Sequence, residues 1–305
     1  MEKFEVTILG CGSAVPTLNH NPSSQVVNVR DKLSIVDCGE STQLQLRKSK
    51  VRFMSVRNIF ISHLHGDHCF GLLGLISTFG LLGRTLPLHV YAPAAYGDLL
   101  ERQIDFFCQG LEFKVEFHPL DTEQFQVIYE DRSMTVSTLP LDHRVPCCGF
   151  LFREKPSLPH IVREMIDYYE IPISQINNIK MGVDWKLPDG TIIPNSRLTR
   201  PSSPPRSYAY CSDTAYKPDL VPHLRGVNLL YHEATFLENR IERARYTHHS
   251  TAHQAALIAR DAHVGQLLIG HYSAHYLDEQ PLLDEARQVF PNTIAAKEGM
   301  TVPVI

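Results

Sequence analysis

The sequence predicts an α/β protein made of two sheet-plus-helix halves packed face to face, an αββα arrangement, with one inserted segment projecting from it. Three observations lead there. Apolar runs of strand length recur between turn residues and are followed by longer helical stretches. That order, several strands and then a few helices, occurs twice along the chain. Between the two occurrences, from about Glu154, the composition shifts to proline and polar residues. The 43% hydrophobic and 20% charged content of the 305 residues suits a soluble globular protein with a full-sized core.

Residues 4–9, 25–29 and 33–36 alternate or run apolar between turns and predict three strands of an antiparallel meander. The break at Asp37-Cys38-Gly39-Glu40-Ser41-Thr42 leads into a helix carrying Leu44 and Leu46. Arg47, Lys48, Lys50, Arg52 and Arg57 follow within an acid-free stretch, which fits a solvated helix face or a phosphate-contacting patch. Asn58-Ile59-Phe60-Ile61 predicts a buried strand, and the Gly-rich apolar residues 70–82 a buried helix. A strand at 88–92, an amphipathic helix at 94–107 and strands at 113–117, 125–129, 134–139 and 149–153 complete the first part. Residues 155–207 hold a helix candidate at 160–169, a turn at Leu187-Pro188-Asp189-Gly190 and Pro201, Pro204 and Pro205. Their shortage of large apolar residues predicts an insertion without a core of its own, within one domain spanning 1–305. Strands at 208–211, 228–231 and 266–269 then alternate with helices at 251–262 and 281–290.

The formal net charge of −4 excludes a globally basic nucleic-acid binder, so any phosphate-binding surface must be local. The first residues enter a strand at once, with no charged-then-apolar leader, and no apolar run is long enough to span a membrane. Cytoplasmic residence is the expectation. The seven cysteines (Cys11, Cys38, Cys69, Cys108, Cys147, Cys148 and Cys211) are odd in number and form no Cys-x-x-Cys pair, which predicts reduced, mainly core thiols.

The chemistry concentrates in Ser62-His63-Leu64-His65-Gly66-Asp67-His68. His63 and His65 alternate, so at strand spacing both point to one side, while Asp67 and His68 follow a turn and face a second point. Three histidines and an aspartate in this spacing are poorly explained as core packing. Three further candidates end apolar strands: His143, Asp213 and His271. Together they predict two coordination shells. His63, His65 and His143 hold one ion, and Asp67, His68 and His271 hold the other. Asp213 bridges, because a carboxylate has two oxygens. Imidazole and carboxylate donors suit zinc, with manganese or iron as alternatives. A water shared by two such ions deprotonates near neutral pH, with Asp67 placed to accept the proton. The remaining histidines, His89, His118, His160, His223, His253, His263 and His275, carry no partner pattern.

The motif with His143, Asp213 and His271 resembles the metallo-β-lactamase superfamily, which implies a four-layer αββα sandwich of the metallo-β-lactamase type with a protruding arm. His232-Glu233-Ala234-Thr235, His249-Ser250-Thr251, Thr7-Ile8-Leu9-Gly10-Cys11-Gly12-Ser13 and Ala209-Tyr210-Cys211-Ser212-Asp213-Thr214 narrow the resemblance. Over nearly the whole chain it resembles the short form of the ribonuclease Z family. This implies an endoribonuclease that removes the 3′ trailer of precursor tRNA, with two Zn2+ per subunit and a homodimeric assembly. Position by position it implies metal binding by His63, His65, Asp67, His68, His143, Asp213 and His271, proton acceptance by Asp67, and protonation of the leaving 3′ oxygen by Glu233 and His249. A histidine held protonated by a carboxylate is a natural general acid for a ribose oxygen of high pKa; a structural ion pair is the plainer account of the same two residues. His248 is an alternative acid.

The resemblance also makes 155–207 the arm that grips tRNA, with Lys180, Lys186, Arg197, Arg200 and Arg206 as candidate contacts. Two stretches depart from the family. Ile171-Pro172-Ile173-Ser174 lacks the Gly-Pro pair common at the arm tip, and the loop after Gly12 reads Pro16-Thr17-Leu18-Asn19-His20-Asn21-Pro22. They bear on tRNA grip and on discrimination of the CCA end. The alternatives are a metal-dependent phosphodiesterase acting on small or generic substrates and a non-catalytic RNA-binding protein.

Overall fold

The computed structural model describes residues 2–305 and divides them into two compact units, one of residues 2–153 and 206–305 and the other Glu154–Pro205.

The larger unit contains two seven-stranded sheets. The first runs in the order Thr301–Pro303, Phe4–Gly10, Ser24–Val29, Lys32–Cys38, Val56–Phe60, Leu88–Pro93, Val115–Leu120. Its first four strands are antiparallel and its last four parallel, the strand Lys32–Cys38 belonging to both sets. The second runs Thr293–Ala295, Gln266–Gly270, Leu229–Glu233, Ser207–Cys211, Cys148–Glu154, Met134–Pro140, Val127–Glu130. Ser207–Cys211 to Thr293–Ala295 are parallel, and the opposite flank contains antiparallel pairs.

Period-two alternation builds the layers. Phe4, Val6, Ile8, Val36 and Phe60 point between the sheets and join Phe150, Phe152, Tyr208 and Tyr210 in one buried cluster. Phe60 is its hinge, with ring centroids 4.8 Å from Tyr91, 5.4 Å from Phe150 and 5.6 Å from Phe152. Their neighbours Leu9, Ile35, Ile59 and Ile61 point outward, under Leu72, Leu75, Ile76 and Phe79 of the helix Gly71–Leu81. On the far side, Ala255, Ala256, Ile258 and Ala259 of Ala252–Asp261 and Leu282 and Ala286 of Gln280–Val289 cover the second sheet. The order is helices, sheet, sheet, helices.

Several elements differ from expectation at their edges. The predicted helix 70–82 is preceded by a separate turn of helix, Gly66–Cys69, that begins inside the histidine motif. The helix 94–107 opens with a 3₁₀ turn and becomes α-helical only from Gly97 to Phe107. The sequence predicts neither Thr293–Ala295 nor Thr301–Pro303, since three-residue edge strands carry too little periodicity.

The smaller unit has a core of its own, contrary to the expectation from composition. Ile166, Ile171, Ile179, Ile193 and Leu198 are buried together, flanked by Ile161, Met165, Ile176, Trp185 and Leu187. Five aliphatic residues suffice because the unit is small and is closed by two-stranded ladders at Trp185–Lys186 with Ile192–Ile193 and His160–Ile161 with Thr199–Arg200. The helix predicted at 160–169 is confined to Arg163–Tyr168. Among the described residues no helix is long and apolar enough to cross a membrane, and all seven cysteines are buried and free.

The outer layer supplies a direct test. Phe79 is fully buried beside Phe113, 6.4 Å between centroids, with the Arg84 guanidinium 4.8 Å above its ring. Phe79→Ala is expected to cost about 3–5 kcal/mol in equilibrium denaturation. Leu81→Ala, on the same helix but 86% exposed, should stay within about 0.5 kcal/mol. Equal costs at the two positions would contradict the layer assignment.

Candidate metal centre and active site

The candidate residues lie where the parallel strands of the two sheets end. His63 follows Val56–Phe60, Asp213 follows Ser207–Cys211, Glu233 ends Leu229–Glu233, and His271 follows Gln266–Gly270. Carboxyl ends of parallel strands are where α/β folds leave room for chemistry. His143 follows Met134–Pro140.

The structure brings the seven predicted ligand residues together in two groups. His63, His65, His143 and Asp213 form one, and Asp67, His68 and His271 the other. In the first, His63 Nε2 lies 3.0 Å from His65 Nδ1, which lies 3.2 Å from His143 Nε2. Asp213 faces both groups with different oxygens. Its Oδ2 is 3.6 Å from His63 Nε2 and 3.7 Å from His143 Nε2. Its Oδ1 is 3.1 Å from His271 Nε2 and 3.3 Å from His68 Nε2. Asp67 Oδ2 lies 3.4 Å from His68 Nε2 and 3.7 Å from His271 Nε2, and it accepts from the Ala14 N–H at 2.8 Å.

The donor set fits divalent cations on two counts. His68 Nε2 and His271 Nε2 are buried with no hydrogen-bond partner, an arrangement that costs free energy unless a cation takes the lone pair. Burial also pushes the His63, His65 and His143 imidazoles below their ordinary pKa, keeping them neutral as a metal requires. The cysteines take no such role. Burial pushes Cys69 up to about 11 and Cys211 up to about 12, so neither offers a thiolate.

The outward nitrogens are held by residues the sequence did not mark. Asp37, fully buried, accepts from the Ser62 N–H (2.7 Å), the Ser62 hydroxyl (2.9 Å), the Tyr210 hydroxyl (2.7 Å) and His68 Nδ1 (2.7 Å). Ser62 Oγ is 2.9 Å from His63 Nδ1, so one carboxylate orients a histidine of each group. Thr235 Oγ1 is 3.0 Å from His271 Nδ1, and the His248 carbonyl accepts from His143 Nδ1 at 3.0 Å. The available signal for Asp37 was an acid at the end of an apolar strand, followed by Cys38-Gly39. Gly39 is needed there because a Cβ would lie 2.3 Å from the Asp67 carbonyl oxygen.

Glu233 and His249 form a buried pair beside the two groups. Glu233 Oε1 lies 2.7 Å from His249 Nδ1. The carboxylate also accepts from the Thr214 N–H (3.1 Å), the Thr235 N–H (3.0 Å) and the Thr235 hydroxyl (2.6 Å). Burial lowers the His249 pKa, but the charge and hydrogen bond of Glu233 outweigh it and raise the group to about 9. The His249 ring stacks on His271 with centroids 5.4 Å apart and lies 5.2 Å from His143. The helix Ala252–Asp261 fixes its backbone from the other side, because Thr251 caps that helix in a reciprocal capping box with Gln254. His248 is turned away, with Nδ1 3.0 Å from Asp142, and reaches the site only through its carbonyl.

Among the candidate tRNA contacts, Arg206 is corrected. It is buried in the larger unit, where its guanidinium donates to the carbonyls of Val304 (3.1 Å) and Glu2 (2.8 Å) and covers Phe4. A planar fork is better suited to two carbonyls than its proline-rich approach suggested. Lys186, Arg197 and Arg200 are exposed and Lys180 half-buried. The basic side chains Arg47, Lys48, Lys50, Arg52 and Arg57 are exposed as well.

Asp37 yields a prediction, since it contacts the candidate ligand His68 without belonging to either donor group. Asparagine tolerates the left-handed backbone at this position, φ 54°, so Asp37→Asn keeps the shape and removes the charge. It is expected to weaken divalent-metal affinity about 10–100-fold, measured by competition with a chelator. Unchanged affinity would show that Asp37 is dispensable to the centre.

Known proteins resemble the chain at three levels. A family model described as Anti-Pycsar protein Apyc1 matches residues 4–155. The solved metallo-beta-lactamase fold protein YhfI from Bacillus subtilis superposes with a TM-score of 0.68 at 20% identity, covering 99% of each chain. Human tRNase Z, short form, superposes with a TM-score of 0.72 at 25% identity, again covering 99% of each. The fold is therefore the metallo-β-lactamase fold, α/β with two facing sheets. Ribonuclease Z of Bacteroides fragilis is 60% identical over 302 residues, 99% of this chain and 99% of the relative. The chain belongs to the ribonuclease Z family.

Proposed function

We propose that this chain is a zinc-dependent endoribonuclease that removes the 3′ trailer of precursor tRNA, leaving a 3′-hydroxyl on the tRNA and a 5′-phosphate on the trailer. Membership of the ribonuclease Z family supports the substrate. The observation that carries the mechanism is the Glu233–His249 pair, 2.7 Å apart, set against the two ligand groups that share Asp213.

His63, His65 and His143 would hold one ion and Asp67, His68 and His271 the other, with Asp213 spanning both. Ions bound there supply Lewis acidity, acidifying water and neutralising charge on the phosphate. Asp67 would take a proton from the attacking water. The Ala14 N–H fixes its orientation. His249 would donate its proton to the departing 3′ oxygen. Glu233 would keep His249 protonated at neutral pH and hold the ring in place.

The unit Glu154–Pro205 would act as an exosite arm for tRNA away from the scissile bond, with Lys186, Arg197 and Arg200 as phosphate contacts. Phosphate contacts made by a few exposed basic side chains would be compatible with a net charge of −4. A homodimer working in the cytoplasm completes this reading.

Two experiments test it. A general acid must be protonated to act, so the single-turnover rate should be level through neutral pH and fall as pH rises through about 9. Glu233→Gln removes what raises that pKa, and the fall should move toward or below the ordinary histidine value of about 6.5. His249→Ala should lower the rate about 10²–10⁴-fold. A structural ion pair would change stability but leave the pH limb in place. Separately, deleting residues 160–200 should impair precursor-tRNA cleavage and spare hydrolysis of a small phosphodiester such as bis(p-nitrophenyl) phosphate. If the deletion leaves tRNA cleavage intact, or lowers both activities equally, the arm assignment falls.

A further inference from the structure

A second set of metal donors lies in the larger unit, away from the site described above. His89, Glu116 and His118 place one donor atom each within 4.8 Å of the others. They sit on neighbouring parallel strands of the first sheet, Leu88–Pro93 and Val115–Leu120, with His89 paired to Glu116 and Tyr91 to His118. His89 and Glu116 occupy the second position of their strands, near the amino ends, whereas the ligand motif follows a carboxyl end. No residue is shared between the two sets.

We propose that His89, Glu116 and His118 form a separate binding site for a divalent transition-metal ion, of which zinc is the best match. Donor spacing carries the inference. His89 Nδ1 lies 3.1 Å from His118 Nε2 and 3.4 Å from Glu116 Oε2. A tetrahedral ion with bonds of about 2.0–2.1 Å spaces its donors about 3.3–3.4 Å apart, between those two distances. One imidazole proton cannot serve both neighbours of His89 Nδ1, whereas a cation at the common point satisfies all three lone pairs.

The surroundings hold each donor in place. The His118 ring stacks on Tyr91 at 4.4 Å and 12°. Lys114 Nζ takes the other Glu116 oxygen at 3.3 Å, leaving Oε2 for the ion. Burial pushes His118 below its ordinary pKa, favouring the neutral ligand. The side chains of His89 and Glu116 are about one-third exposed, so water can complete the fourth position. Two histidines, a carboxylate and an open position constitute a donor set that zinc accepts.

The test counts metal. Chelator-stripped full-length protein is dialysed against buffered Zn2+, and bound zinc per chain is measured by mass spectrometry. The native chain is expected to hold one equivalent more than His89→Ala/His118→Ala, while precursor-tRNA cleavage by the double variant stays within about twofold of native, which also certifies its fold. Glu116→Gln, a milder change at a partly exposed position, should raise the dissociation constant of that equivalent at least about tenfold. Equal zinc content in the native protein and the double variant overturns the proposal, as does unchanged affinity in Glu116→Gln.

Discussion

One buried carboxylate sets the terms for the catalytic end of the fold. Asp37 ends a strand of the first sheet and takes hydrogen bonds from Ser62, on the loop after a neighbouring strand, and from Tyr210, on the second sheet. It therefore ties the two layers together at the point where both histidine groups converge. An ionised carboxylate without access to water is costly unless its oxygens are filled. Four donors fill them here, and two of these lead to candidate ligand residues: His68 directly and His63 through the Ser62 hydroxyl. Stability and ligand geometry consequently depend on the same charge.

The same region concentrates unusual backbone. Ala14, Asp37, His248 and His271 all have positive φ, at 53°, 54°, 55° and 61°. Such conformations cost of order 1 kcal/mol or more for residues with a side chain. Each has a visible return. Ala14 turns its N–H onto Asp67, Asp37 turns its carboxylate inward to four donors, and His248 turns its carbonyl onto His143. His271 leaves the strand Gln266–Gly270 so that Nε2 meets Asp213 while Nδ1 meets Thr235. At Asp37 and His271 the strain is tolerated because the strands Lys32–Cys38 and Gln266–Gly270 are held in the core.

Much of this was legible in one dimension. Alternation of apolar residues located the central strands, and the spacing His63, His65, Asp67, His68 suggested donors facing two points, which fall in two candidate groups in the structure. Strand ends then nominated His143, Asp213 and His271, which the structure gathers with the motif. What stayed hidden depends on register or on long-range packing. Asp37 has no spacing relation to the motif and acquires its role only when Tyr210 and His68 close over it. His89 and His118 are 29 residues apart, and only the pairing of two parallel strands makes them neighbours. The small core of Glu154–Pro205 was missed because composition averages over the segment, while five aliphatic side chains at separate positions are enough to fill its interior. Arg206 looked like part of a polar arm because the two carbonyls it serves, at Glu2 and Val304, come from opposite ends of the chain.

The Glu233–His249 pair shows why geometry near a site has to be weighed as chemistry. A buried ion pair is weak evidence for stability, because desolvation offsets most of its attraction. Glu233 is anchored independently by three donors from Thr214 and Thr235. It can therefore remain ionised when His249 gives up its proton, and the site does not collapse around an orphaned charge. The imidazole, by contrast, has one strong tie, through Nδ1, and its ring stacks on His271 and lies tilted beside His143. One group is fixed in charge and position, and the other is tied chiefly through a single nitrogen. The general-acid role proposed for His249 calls for this asymmetry.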